Sequence, residues 1–551
     1  MSDPNGYYQG YGSQPPPYGP SGMVPPDGQS LYVDMPTDNN NDSSKKNHGK
    51  HGKGNKNQNG DAYEGSKIQF NEKPQYQDIW AAILYIVTVI ATIAIAGISI
   101  PTMNLDNLMD SNDSNNSTST NTGTSTNSAN TGKSGTNTSN SNHLKFKRSK
   151  DGDSGTDIVI MLLSSVVFSG LLTFGYMILM QKYAGKMIKA TFIMSIIFNI
   201  IYALICFLVS PILSVIMLLF AILYAICYFL WRSRIPFAKV MLKTVTSVTK
   251  KFPATILTGF IGCFVGAIWY GIICVTFVAA LCSDTMVNLG AGMYVVLIFI
   301  LFSFYFSTQV INNVVHVTIS GVFATYYFRG VVEPGTNDVI LDVKNPTVKS
   351  FGRAMTTSFG SICFGSLVIA VIQTLRALAS ILKNEGREDD NGLLTIVACC
   401  IECILSWVED IIEYFNVYAF TEVAIYGKSY CEAAKDTWEI CKDRGIEALI
   451  NDNLIGNVLT LGGLAVGCLS TVITVVIGFL GLSIKEVAPL IIYGILAFLI
   501  GMMIFSVVAQ VINSGVATTF VCICEDPDAL LHTKPELYNK VKETFNGSVS
   551  L

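Results

Sequence analysis

Apolar residues fall into ten long blocks along the chain: 79–100, 158–180, 190–210, 212–230, 254–281, 293–328, 360–382, 393–426, 458–482 and 488–520. A helix needs about 20 apolar residues to cross about 30 Å of hydrocarbon. The first five blocks carry no charged residue. Strands of an outer-membrane barrel would instead alternate over about ten residues. The pattern predicts an all-α, polytopic membrane protein of about ten transmembrane helices. Three blocks exceed 30 residues, so each tilts, projects beyond the bilayer or breaks, and Gly321 marks a candidate break in the sixth.

Between the blocks the text changes character. Residues 1–78 are rich in Gly, Pro, Asn, Gln and Lys and read as a disordered cytosolic tail. Residues 101–157 form a large Ser/Thr/Asn-rich loop after the first helix, at 79–100. The remaining nine helices make a core at 158–520, followed by a C-terminal tail at 521–551. The first apolar run starts too deep for a cleavable signal and acts as an internal anchor. Lys and Arg fix the orientation. With both termini cytosolic, 27 of them fall on cytosolic segments and 8 on outer ones, five of these in the long loop. Residues 231–253, with six basic residues among apolar ones, predict a helix lying on the anionic leaflet.

Composition agrees: half of the 551 residues are hydrophobic and 14% are charged. A soluble domain carries nearer a quarter. No basic surface points to nucleic acid. All fourteen cysteines lie at or after Cys206, mostly in apolar runs, with no disulfide framework and no zinc spacing. No phosphate loop, nucleophile elbow or metal motif is present, so neither an enzyme nor a cofactor is expected. Pro15, Pro16 and Tyr18 belong to a PPxY match, a ligand type for the aromatic groove of WW domains such as those of ubiquitin ligases. Sequons stand at Asn112, Asn115, Asn116 and Asn137, on the face assigned to the outside.

Polar residues inside the apolar blocks are the candidates for function. In the sixth block Asn312, His316 and Ser320 recur every four residues on one helix face. They form either a hydrogen-bonded seam or a pathway wall. In the eighth, Glu402, Glu409, Glu413 and Asn416 share a face, with Asp410, Tyr414 and Tyr418 beside it and Trp407 near the seam. Carboxylates beside aromatic rings suit a small organic cation, above all a quaternary ammonium. The rival reading places 402–416 at the outer interface. Arg376, the one cation within a span, is a partner for one of the acids. Glycine and serine pairs four apart (Gly262 and Gly266, Ser361 and Gly365, Gly463 and Gly467) predict close helix contacts.

Six stretches carry a family resemblance: 231–236 (Trp-Arg-Ser-Arg-Ile-Pro), 313–323 with Asn-Val-Val-His and Ser-Gly-Val-Phe, 358–366 (Ser-Phe-Gly-Ser-Ile-Cys-Phe-Gly-Ser), 414–419 (Tyr-Phe-Asn-Val-Tyr-Ala), 425–428 (Ile-Tyr-Gly-Lys) and 448–453 (Ala-Leu-Ile-Asn-Asp-Asn). Over about 76–530 the chain resembles the choline transporter-like family (solute carrier family 44), and its fungal Pns-type members. The resemblance implies a ten-span transporter fold with a large outer loop and transport of choline or a related organic cation. The expectation is a multi-pass transporter of the cell membrane. Its candidate pathway comprises Glu402, Glu409, Glu413, Trp407, Tyr414, Tyr418, Asn312 and His316. The alternative is a non-transporting scaffold or sensor that acts through the N-terminal tail.

Overall fold

The structure, a computed structural model, describes residues 75–103, 154–208, 210–332, 339–341, 343–388, 391–482, 484, 486–530 and 534–545. The PPxY match and the four sequons lie outside them. Among the described residues, nine helices are long and apolar enough to cross a membrane. The only paired strands there are β1 (Gly330–Val332) and β2 (Val339–Leu341), a small antiparallel hairpin.

The helices run in chain order as α1 (Ile79–Ser99), α2 (Ser154–Phe207), α3 (Pro211–Trp231), α4 (Ile235–Lys251), α5 (Ala254–Cys282), α6 (Ala291–Arg329), α7 (Pro346–Met355), α8 (Phe359–Glu388), α9 (Gly392–Tyr426), α10 (Tyr430–Val476), α11 (Val487–Glu525) and α12 (Pro535–Phe545). The predicted second and third spans are one helix with a break. At 1.5 Å per residue, the 50 helical residues from Ile158 to Phe207 would extend about 75 Å, far more than a bilayer's thickness. The break sits at Tyr183, whose φ of −122° and ψ of 23° are not helical. Contacts on either side fix the path. Tyr176 donates to the Val458 carbonyl of α10 at 2.7 Å. Beyond the break, Phe192 stacks on Tyr224 of α3 at 4.9 Å, and Ser214 donates to the Ala203 carbonyl at 2.8 Å. The second half of α2 thus runs alongside α3, whose own faces are almost wholly exposed in the isolated chain.

We call the end of the bundle bearing Asp78, α4, α7 and the 427–429 turn the tail end, and the end bearing 99–103 and 283–290 the loop end. The three longest blocks do not break. Helices α6, α9 and α11 run through, and burial concentrates in their tail-end halves: 314–327, 416–425 except Val417, and 504–523 with few gaps. There the helices pack against each other on most sides, so apolar residues surround the whole helix. Gly321 therefore marks no kink. A β-carbon on it would stand 2.0 Å from Ser350 Oγ, so it is the contact point through which α7 lies against α6. Helix α4 also departs from expectation. Its apolar face, with Phe237, Met241, Leu242 and Val245, is buried within the protein core, while Lys239, Lys243 and Lys250 remain exposed. The amphipathic pattern was read correctly, but its partner is protein and not lipid.

Small residues sit where helices come closest. A β-carbon on Gly262 would come within 2.4 Å of Val315, one on Gly365 within 2.5 Å of the Phe420 and Tyr430 rings, and one on Gly501 within 3.0 Å of the Gly467 Cα. Gly266 is not a contact of this kind, since its nearest neighbour is Tyr270 on its own helix at 3.6 Å. At the loop end Thr102 and Ser283 share a hydrogen bond of 2.6 Å that ties the end of α1 to the end of α5.

Candidate functional site

Helix α9 gathers the polar groups because α8 runs antiparallel beside it. Lys383 Nζ meets Glu402 at 2.5 Å, and Arg376 Nη1 meets Glu409 at 2.9 Å. Seven residues separate the two bases and seven separate the two acids, in opposite senses, so two turns of antiparallel helix bring both pairs into line. Gln373 Nε2 also donates to Glu409 Oε1 at 2.9 Å. Further toward the tail end Asn416 is buried, donating to the Gly365 carbonyl at 3.4 Å and accepting from the Tyr430 hydroxyl at 2.5 Å. The acids at 402 and 409 are thus already countered within the protein.

Glu413 differs. It accepts from Gln309 Nε2 of α6 at 3.1 Å and has no cation within 4 Å among the described residues. It lies at the bundle surface, whereas Glu409 is 5% exposed. Trp407 does not join this group. Two residues from Glu409 it is rotated about 200° around the helix axis, and its side chain is 67% exposed.

Tyr414 and Tyr418 face α10. Their hydroxyls are 3.3 Å apart, and the Tyr418 hydroxyl donates to the carboxylate of Asp452. Tyr418 is fully enclosed, with the Phe520 ring of α11 edge-on at 6.2 Å. Asp452 lies two residues before the apolar span of α10, and burial pushes its carboxyl up to about 6 although the two tyrosine hydroxyls act in the other direction. The sequence pattern offered no reason to join Asp452 to the tyrosines. The signal present was its place in the 448–453 stretch.

The polar stripe of α6 divides. Asn312 is exposed and Asn313 donates to Ser366 Oγ at 2.9 Å. His316 is buried, with Nδ1 2.8 Å from Ser514 Oγ and Nε2 2.9 Å from the Val417 carbonyl. A carbonyl only accepts, so the ring's proton is assigned to Nε2, and the Ser514 hydroxyl donates to Nδ1. Both ring nitrogens are used in joining α6, α9 and α11, which makes this residue a pin between three helices.

The tail end holds a second ionic cluster that the stripes did not reveal. Glu422 is completely buried, neither oxygen has a hydrogen-bond partner, and Lys428 Nζ lies 3.6 Å away. Lys428 also meets Asp436 at 2.6 Å and sits over the Tyr426 ring at 4.1 Å. Burial alone would lower the Lys428 ammonium, but the Asp436 hydrogen bond and the charges of Glu422, Asp436 and Glu525 hold it above the ordinary lysine value. Beside it, Asp78 accepts from Ser361 Oγ at 2.9 Å and from the Tyr430 amide at 2.8 Å, tying the start of α1 to α8 and α10. Among the described residues no group of three His, Cys, Asp or Glu is arranged to hold a metal.

A family model described as plasma-membrane choline transporter matches residues 215–528, which take in α5 to α11 and every group above except Asp78. The chain belongs to the choline transporter-like family. Among its relatives, a CTL-like protein of Dictyostelium discoideum is 37% identical over 316 residues, 57% of this chain and 53% of the relative. Protein PNS1 of Gibberella zeae is 31% identical over 494 residues, 86% of this chain and 83% of the relative. Protein PNS1 of Cryptococcus neoformans is 36% identical over 344 residues, 58% of this chain and 59% of the relative. The alignment thus spans little more than half of two of these relatives, and most of the Gibberella protein. This choline transporter-like chain is a multi-pass membrane protein of a transporter family, of the fungal Pns type.

Proposed function

We propose that the protein carries choline or a related small organic cation across the cell membrane, with both termini in the cytosol. The match of the choline-transporter model across α5 to α11 is the observation that carries this reading. The local chemistry supports it. Glu402 and Glu409 are held by Lys383 and Arg376, so they organise α8 against α9. Glu413, with an amide and, among the described residues, no cation beside it, is the acid of this stripe left to receive a mobile positive charge. Tyr414 lies one residue on and offers a ring. Asn312 stands exposed on the neighbouring helix as a further pathway group. In the tail, Pro15, Pro16 and Tyr18 dock a WW-domain ubiquitin ligase, and the sequons at Asn112, Asn115, Asn116 and Asn137 carry glycans on the outer face.

Uptake of labelled choline into vesicles holding the purified full chain tests the reading. Wild type is expected to give saturable uptake, and Glu413→Gln to reduce kcat/KM by about tenfold, the loss expected for about 1.4 kcal/mol of a charge contact. No uptake by the wild type of choline, ethanolamine or a polyamine would overturn it.

A further inference from the structure

We propose that the turn of α2 around its break and the adjoining edge of α4 form a binding site for an anionic phospholipid whose headgroup carries more than one phosphate. The site lies apart from the α9 groups of the transporter reading and rests only on the cytosolic placement of the tail end, the side on which anionic lipids face a protein. Charge is the first observation. Past the apolar first half of α2 stand Lys182, Lys186 and Lys189, all exposed. Lys182 Nζ and Lys186 Nζ lie 5.4 and 5.7 Å from the centre of the same Tyr183 ring. Helix α4 adds Lys239. A β-carbon on Gly185 would stand 2.8 Å from the Lys239 Cδ, so the Lys239 stem lies against the α2 turn that bears Lys182 and Lys186. Among the described residues none of these four lysines has a carboxylate within 4 Å. Glu536 of α12 does reach α4, but it pairs with Lys243 at 3.1 Å. Like charges gathered at one place repel, and the counter-charge here must come from outside the described chain.

The second observation is the level at which the lysines stand. Lys182 follows the apolar block at 158–180, and Arg232, also exposed, follows the end of α3. Phe192, one turn beyond Lys189, meets Trp231 edge-on at 6.3 Å, which brings the two basic helix ends side by side. Tyr183 and Trp231 are rings of the kind that mark the boundary between hydrocarbon and water. The third is the adjoining surface. Ile178 and Leu179 before the lysines, and Ile193 and Met194 after them, are exposed. A headgroup seated on the ammonium groups lays its acyl chains along these side chains. A lipid meets both surfaces at once, whereas a soluble polyanion or an acidic peptide meets only the charge. A single phosphodiester charge leaves most of the ammonium groups uncountered, and a lysine binds phosphate as a point charge, so several phosphates on one headgroup match several lysines better than one.

Binding of a fluorescent phosphatidylinositol bisphosphate to the full chain in phosphatidylcholine nanodiscs tests this. Both faces of a nanodisc are open, so the outcome depends neither on orientation nor on transport. The triple variant Lys182→Gln, Lys186→Gln, Lys239→Gln is expected to bind the lipid about tenfold or more weakly, and the same three positions changed to Arg to stay within about threefold of wild type. A control triple, Lys349→Gln, Lys435→Gln, Lys442→Gln, removes the same charge from exposed tail-end positions elsewhere and is expected to stay within about twofold. Equal losses in the two glutamine triples would mean diffuse attraction to the tail end, and the site falls. Soluble inositol trisphosphate is expected to compete about tenfold less well than the lipid. If it competes equally, the acyl chains contribute nothing and the lipid site falls. Unchanged lipid affinity in the first triple also overturns the proposal.

Discussion

Single residues in this bundle are decided by whether a buried charge finds its counter-charge. Breaking a buried pair by removing one member costs roughly 3–5 kcal/mol, whereas neutralising both is often harmless. Arg376→Gln should therefore lower Tm through the stranded Glu409, which is 5% exposed, and adding Glu409→Gln should restore most of the loss. A thermal-shift double-mutant cycle checks it, and simple additivity would show that the pair does not interact. Glu422 gives the complementary case. Both its oxygens lack hydrogen bonds, so Glu422→Gln should leave Tm unchanged or raise it, while Lys428→Met should lower it by several degrees. Asp452 brings in pH. With its carboxyl raised to about 6 by burial, facing only the hydroxyls of Tyr414 and Tyr418 among the described titratable groups of α9, it is ionised at pH 7 and takes up its proton as pH falls through about 6. Because its folded value lies above the ordinary 3.8, the same group makes the native state less favourable as pH rises from about 4 to about 6, so acidification over that range should not lower Tm through this residue.

At the level of elements, helix pairs are set by small residues and by polar pins. Gly365 lies so close under the Phe420 and Tyr430 rings that a β-carbon would stand only 2.5 Å from them, and one on Gly262 only 2.4 Å from Val315. Gly365→Leu should cost about 1–3 kcal/mol by overpacking, measured as a drop in Tm, while Gly97→Leu, with open space around it, should cost little. Equal effects at both positions would argue against close packing as the reason for these glycines. The helix periods themselves were readable: block lengths placed the apolar helices, and the charge pattern of α4 placed its faces. The partner of a face was not readable. An apolar stripe with lysines opposite looks the same whether it meets lipid or α2 and α11, because sequence records polarity and not the neighbour. Likewise Glu402, Glu409 and Glu413 share a stripe, yet only the antiparallel α8 distinguishes the two paired acids from the unpaired one.

For the whole molecule, transport depends on orientation, and the Lys/Arg distribution supports the proposed placement of the tail end in the cytosol. Cys431 is exposed at the start of α10 on that end. In sealed right-side-out vesicles a membrane-impermeant maleimide should label Cys431 only after permeabilisation, scored in a variant whose other cysteines are replaced. Labelling before permeabilisation would invert the topology and exchange the roles of the two ends.

Hydrophobic block length, charge and motif by themselves determined that this is a polytopic helical membrane protein, where its helices lie and to which family it belongs, because partition into hydrocarbon is a local property of about twenty consecutive residues. The tertiary structure alone decided which acids are countered, that His316 pins three helices, that Trp407 faces away, and that Asp452 joins the tyrosines of α9. Those outcomes depend on which helices pack side by side, and at most of these contacts the partners stand 30 to 200 positions apart along the chain.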